Sequence, residues 1–231
     1  MKRSLYPELS SRLHMAQAAL QAHARPEQLA AMRGFAMSGD NRLGVAVPVL
    51  RQLGRQFGPD HELALALWDS DVPDARILAS LLAEPARLSR AEMDHWVAGM
   101  QAWDVCDQAC LNAFRRSPLA WELVPAWAAQ QPEFVRRAGF ALLAVLAVHD
   151  KQRGDADFLD RLPLIAAAAD DERNFVKKAV NWALRQIGKR NAVLREAAID
   201  TAGALCERPE ASSRWIGRDA LRELRGKARQ G

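Results

Sequence analysis

Tyrosine occurs once in this 231-residue chain, and no segment alternates apolar and polar residues over the length of a strand. Strands collect β-branched and aromatic side chains at a period of two, so no sheet is needed to account for the sequence. Cysteine is scarce as well: Cys106, Cys110 and Cys206 are odd in number and form no CxxC pair. A disulfide framework and a cysteine zinc site are thereby excluded, and a reducing cytoplasm is the expected compartment, near the nucleoid if the source is bacterial. The longest apolar run, Ala138 to Val148, is too short to cross a bilayer, and Met1 to Glu8 lack the apolar core of a secretory signal. His14, His23, His61, His95 and His149 are scattered without metal-ligand spacing, and there is no glycine-rich phosphate loop, GxSxG or Cys–His pairing. Neither a metal nor a cofactor is expected.

What is abundant is alanine and leucine, whose unbranched side chains lose little freedom in a helix. Prolines near helix starts and glycines or prolines near their ends punctuate the chain, with Pro26, Pro48, Pro73, Pro118 and Pro132 as examples. This pattern predicts helices near 7–24, 26–37, 46–57, 60–69, 73–84, 89–101, 104–116, 119–130, 133–148, 156–168, 172–188, 191–205 and 211–226. No low-complexity linker divides the chain, so one domain spanning 1–231 is expected, with no need of a partner subunit.

Two of the predicted helices read as copies of one unit. Phe134-Val135-Arg136-Arg137-Ala138 and Phe175-Val176-Lys177-Lys178-Ala179 share F-V-[KR]-[KR]-A at an offset of 41 residues. Such an offset is typical of HEAT and armadillo repeats, in which helix pairs bury their apolar stripes against neighbouring pairs. The fold class expected is therefore all-α, a superhelical solenoid of HEAT-like, armadillo-type repeats. Ordinary amphipathic helices with solvated cations give the same local pattern. Charge is uneven along the chain: residues 172–231 hold 14 Lys/Arg against 7 Asp/Glu, and residues 1–171 hold 18 against 21. A basic C-terminal quarter suits a polyanionic partner, because clustered cations gain affinity by releasing the counterions condensed on phosphates.

Chemistry-bearing residues concentrate in two places. In Trp103-Asp104-Val105-Cys106-Asp107 an indole and a carboxylate, Trp103 and Asp107, share a helical face, with Asp104 placed to cap the helix. Helix stability alone also accounts for both carboxylates. In the second place Trp182 lies mid-helix beside Lys178, Arg185 and Lys189, an arrangement in which an indole stacks on a base or sugar while cations hold phosphates. Trp68, Trp96, Trp121, Trp127 and Trp215 are expected to pack in the interior.

Taken in order and spacing, the Trp103–Asp107 segment, Phe134–Ala138 and Phe175–Arg185 resemble the AlkD-like DNA glycosylases, the DNA alkylation repair proteins built from HEAT-like repeats, over nearly the whole chain. The resemblance implies hydrolysis of the N-glycosidic bond of cationic N7- or N3-alkylated purines in double-stranded DNA, leaving an abasic site. By position it makes Asp107 the active-site carboxylate, Trp103 and Trp182 the cleft tryptophans and Arg137 a cleft arginine beside the DNA. An aromatic position of the family falls near Phe35. Lys177, Lys178, Arg185, Lys189 and Arg190 are the expected phosphate contacts. Two alternatives stay open: a non-catalytic DNA-binding paralogue on the same scaffold, and a protein-interaction scaffold.

Overall fold

The computed structural model describes residues 8–37 and 41–226, and every regular element among them is helical. The chain gathers into two compact units, Met1–Pro118 and Leu119–Gly231. The first holds α1 (Leu9–Ala22), a 3-10 turn at Pro26–Gln28 leading into α2 (Leu29–Gly34), α3 (Val47–Phe57), α4 (His61–Trp68), α5 (Pro73–Leu82), α6 (Arg90–Ala98), α7 (Trp103–Asn112) and a 3-10 turn at Phe114–Arg116. The second holds α8 (Ala120–Ala128), α9 (Glu133–His149), α10 (Asp155–Leu159), α11 (Leu162–Ala167), α12 (Asn174–Gly188), α13 (Ala192–Cys206) and α14 (Ala211–Gly226).

Local chemistry explains most boundaries. Ser89 and Glu92 close a capping box at the start of α6, and the side chains of Asp60 and Asn191 accept the N–H groups of Leu63 and Leu194 to open α4 and α13. Each such cap is worth about 1 kcal/mol. Pro48 and Pro73 sit in first turns, where a missing N–H costs nothing. The stretch expected to run unbroken over 156–168 is instead split into α10 and α11. Pro163 has no N–H to bond back across a helical turn, so the chain turns at Asp160 and Arg161 before α11 begins.

In the first unit α5 is the central helix, packed against α3, α4 and α7. Its Asp74 carboxylate is buried and accepts the backbone N–H groups of Leu43 and Val45 at 2.8 and 2.7 Å, which fixes the segment entering α3. Gly44 is required in that segment: its φ is +79°, and a Cβ there would lie 2.6 Å from the Arg25 carbonyl oxygen. In the same unit Trp68 and Trp96 stack in parallel with ring centroids 4.2 Å apart. Both are buried, as is Trp127 of the second unit, in agreement with the interior role expected of them.

The second unit is organised around α9, which is buried on every side from Arg137 to Ala147 between α8 and α12. Its close approach to α8 depends on Gly139, where a Cβ would meet the backbone N of Ala128 at 2.5 Å. The 41-residue repeat is visible in space: Phe134 of α9 and Phe175 of α12 pack with centroids 5.3 Å apart. Arginines brace one repeat to the next by donating to carbonyl oxygens. Arg137 reaches Phe175, Arg173 reaches Gln131, Arg190 reaches Ala147 and Arg208 reaches Ala166, at 2.5–2.7 Å. In the connection between α9 and α10, Asp150 accepts from the Trp121 indole at 2.9 Å and from the N–H groups of Gln152 and Arg153.

Candidate functional site

Helix α7 opens at Trp103, one residue earlier than expected, with Ala102 in extended backbone as the N-cap and no capping side chain. Asp104 therefore does not cap the helix. It is nearly buried in the first turn and takes a two-pronged ion pair from Arg42, with Nη1 to Oδ2 at 2.7 Å and Nη2 to Oδ1 at 2.9 Å. The arginine lies 62 residues upstream, so its claim on Asp104 outweighs the local capping preference. Trp103 and Asp107 follow one turn apart on one face, each half-buried.

Trp103 has a second attachment. Its indole N–H donates to the Phe35 carbonyl oxygen at 2.9 Å. Phe35 ends α2, where a closing turn with Ala36 at φ +56° lets the Met37 N–H bond back to Met32. The Phe35 carbonyl is one of those that a helix C-terminus leaves without an internal partner, and the indole satisfies it. The Phe35 side chain is left 71% exposed. The first turn of α7 is thus fastened to the chain at Phe35 through Trp103 and at Arg42 through Asp104, and an exposed aromatic belongs to the same assembly. Among the described residues no three His, Cys, Asp or Glu side chains gather as a metal cage requires.

In the second unit α12 carries Trp182, half-buried, with Asn181 buried beside it. The six cations expected to contact DNA prove unequal. Lys178 is exposed. Lys177 lies with its Nζ 5.2 Å from the centre of the Trp215 ring. Arg185 bonds Glu223 at 2.5 Å and lies 3.6 Å from Asp219, and Lys189 also pairs with Glu223, so these two meet carboxylates already. Arg137 is buried and braces Phe175. Arg190 donates to the carbonyls of Ala147 and Asp150 and lies 4.0 Å from the Phe158 ring centre. A carbonyl occupies a guanidinium's donors without neutralising it, whereas a carboxylate cancels the charge. Arg190 therefore still contributes positive potential that Arg185 and Lys189 largely lose.

Asp171, just before α12, pairs with Arg136 of α9 at 3.2 Å and with Arg173 at 2.6 Å. Trp215 departs from expectation too, being 39% exposed on α14 instead of interior. A sequence signal for it exists. Trp215-Ile216-Gly217-Arg218 repeats Phe175-Val176-Lys177-Lys178 at an offset of 40, and Ile216 is buried as Val176 is. Trp215 is the third aromatic of the repeat series begun by Phe134 and Phe175.

The chain is similar to known proteins. A family model described as DNA alkylation repair enzyme matches residues 16–224. A solved structure, described as a new family of proteins related to the HEAT-like repeat DNA glycosylases with affinity for branched DNA structures, superposes with a TM-score of 0.76. It is 19% identical, over 93% of this chain and 94% of that one, which establishes a shared HEAT-like repeat fold. No curated protein matches. With its helical repeats and a family match over most of its length, the chain belongs to the DNA alkylation repair enzyme family.

Proposed function

We propose that the protein is a DNA glycosylase that hydrolyses the N-glycosidic bond of cationic N7- or N3-alkylated purines in duplex DNA, with Asp107 as the catalytic carboxylate. The observation that carries this reading is the α7 assembly. A half-exposed carboxylate sits one turn from a half-exposed indole whose position is set by a hydrogen bond, beside an exposed phenyl ring, and the neighbouring carboxylate Asp104 is held by Arg42.

The chemistry asks little of a general acid, because an alkylated purine already carries positive charge. As the C1′–N bond breaks, the base leaves as a neutral molecule with the bonding electron pair, and the sugar acquires oxocarbenium character. A carboxylate beside the sugar stabilises that charge and takes a proton from the attacking water, whose oxygen bonds C1′. Indole faces attract the cation through their quadrupoles and keep bulk water away. Trp103 supplies one such face, and the resemblance assigns Trp182 as another. Lys178, with the carbonyl-bound guanidinium of Arg190, gives the second unit positive potential for a phosphate backbone.

The test is release of 7-methylguanine from methylated duplex. Wild type is expected to release it without added metal or cofactor. Asp107→Asn, which keeps the shape and removes the charge, is expected to slow release by at least a hundredfold with DNA binding retained. The structural neighbour's affinity for branched DNA favours a second reading, a DNA-binding protein without excision. Binding to alkylated duplex with no base release from wild type would decide for that reading and against the first. A protein-interaction scaffold is separated by salt, since only DNA binding weakens steeply as salt rises.

A further inference from the structure

Helix α14 carries a face that base excision does not use. Ile216, Gly217, Ala220 and Leu224 point into the second unit. The other side presents Arg214, Trp215, Arg218 and Arg222, which with Ala211 and Asp219 line a hollow of about 450 Å³. Steps of three and four residues place these side chains side by side on the helix. Trp215 is 39% exposed, the Lys177 ammonium lies near its ring, and Lys178, Arg218 and Arg222 are exposed. The carboxylates nearby are committed: Asp219 accepts from Asn181 at 2.7 Å and pairs with Arg185 and Arg222, and Glu223 pairs with Arg185 and Lys189. Lys177, Lys178, Arg185, Lys189, Arg214, Arg218 and Arg222 thus outnumber the carboxylates of Glu210, Asp219 and Glu223 around α14 and the facing part of α12.

We propose that this face binds an unpaired stretch of single-stranded DNA, one base stacking on Trp215 while Arg218 and Lys178 hold the flanking phosphates. The chemistry selects this occupant. Guanidinium forks match phosphate oxygens, and an indole among them offers a stacking surface to any base. In a duplex both faces of each base are already covered by neighbours, so the indole gains nothing from paired DNA. A membrane or an apolar helix would need a continuous apolar patch, and here arginines flank the ring. The proposal rests on the DNA-binding half of the reading above and not on excision, so its test reads binding alone.

The experiment compares the full-length protein's affinity for a labelled oligothymidylate with its affinity for an abasic strand of equal length. Wild type is expected to prefer the base-bearing strand by on the order of tenfold. Trp215→Ala is expected to abolish that preference while abasic binding persists, and Trp215→Phe to restore most of it. Lys178→Ala/Arg218→Ala is expected to lower the slope of log affinity against log salt by about 1.4 on both strands. Equal weakening of both strands by Trp215→Ala, or no change in either, would overturn the proposal. So would an equal dependence on Trp215 for duplex, or for a polyglutamate peptide. If wild type releases no alkylated base yet keeps the Trp215-dependent preference, the excision reading falls and this one stands.

Discussion

Replacing Arg42 by methionine tests whether the first turn of α7 is fastened as described. The Arg42 side chain is 3% exposed and that of Asp104 11%, and the two hydrogen bonds between them are short and parallel. Opposite charges about 4 Å apart attract by roughly 4 kcal/mol at an effective dielectric near 20. Removing Arg42 leaves Asp104 buried without its counter-charge, at a cost of about 3–5 kcal/mol. The small residual exposure of Asp104 places the expected loss near the lower figure. For a protein holding about 5–15 kcal/mol in all, that is a large share. Urea denaturation followed by circular dichroism measures it. Arg42→Met and Asp104→Leu are each expected to destabilise by about 3 kcal/mol, and the double variant to return to within about 1 kcal/mol of wild type, since a hydrophobic pair has no charge to desolvate. Base release by Arg42→Met at a temperature where it remains folded is expected to fall, because the same pair fixes the turn that carries Trp103 and leads into Asp107. A loss below about 1 kcal/mol in the single variant, or a double variant that costs the sum of the singles, would refute the reasoning.

Two further outcomes follow from packing and charge. Gly139→Ala drives a Cβ to 2.5 Å from a backbone nitrogen of α8 and is expected to cost at least about 2 kcal/mol, whereas Gly203→Ala, in α13 with nothing within 4 Å, is expected to stabilise by about 0.5–1 kcal/mol; paired urea melts show the opposite signs. Acid is expected to weaken the second unit through Asp171, Glu223 and Asp150. Burial pushes each carboxyl up, but bonds from Arg173 and the charge of Arg136 at Asp171, Lys189 and Arg185 at Glu223, and the Trp121 indole with two backbone N–H groups at Asp150 outweigh it and hold each below the ordinary range. A folded value below the unfolded one means that the contribution is complete above about pH 4 and is lost as pH falls through the folded values. The urea midpoint is accordingly expected to stay level from neutral pH to about 5 and to drop below about 4, less steeply in Asp171→Asn.

Helices were legible because their signals are local. Pro73 in a first turn, the Ser89–Glu92 box and the alanine-rich run of α9 each act within a few residues, and the F-V-[KR]-[KR]-A copies pack against each other as their offset implies. The misread residues are those decided at long range. Asp104 has the composition of a cap, but a partner 62 residues away takes it. Arg190 looks like a phosphate contact, yet carbonyls some 40 residues back engage its donors. Trp215 has the residue type of an interior position, although its place in the repeat leaves it exposed beside Lys177. The break between α10 and α11 is different, since Pro163 announces it locally.

The hydrogen bond that fastens α2 to α7 takes the carbonyl of Phe35 and nothing of its side chain. Every amino acid has that carbonyl. Substitution at position 35 can therefore alter what is shown to a bound molecule without disturbing where the strap lies, so anchorage and display are inherited separately. Within this scaffold a lineage is free to try tyrosine, histidine or a small residue at this position and to change the surface presented there, with the foundation under Trp103 unchanged.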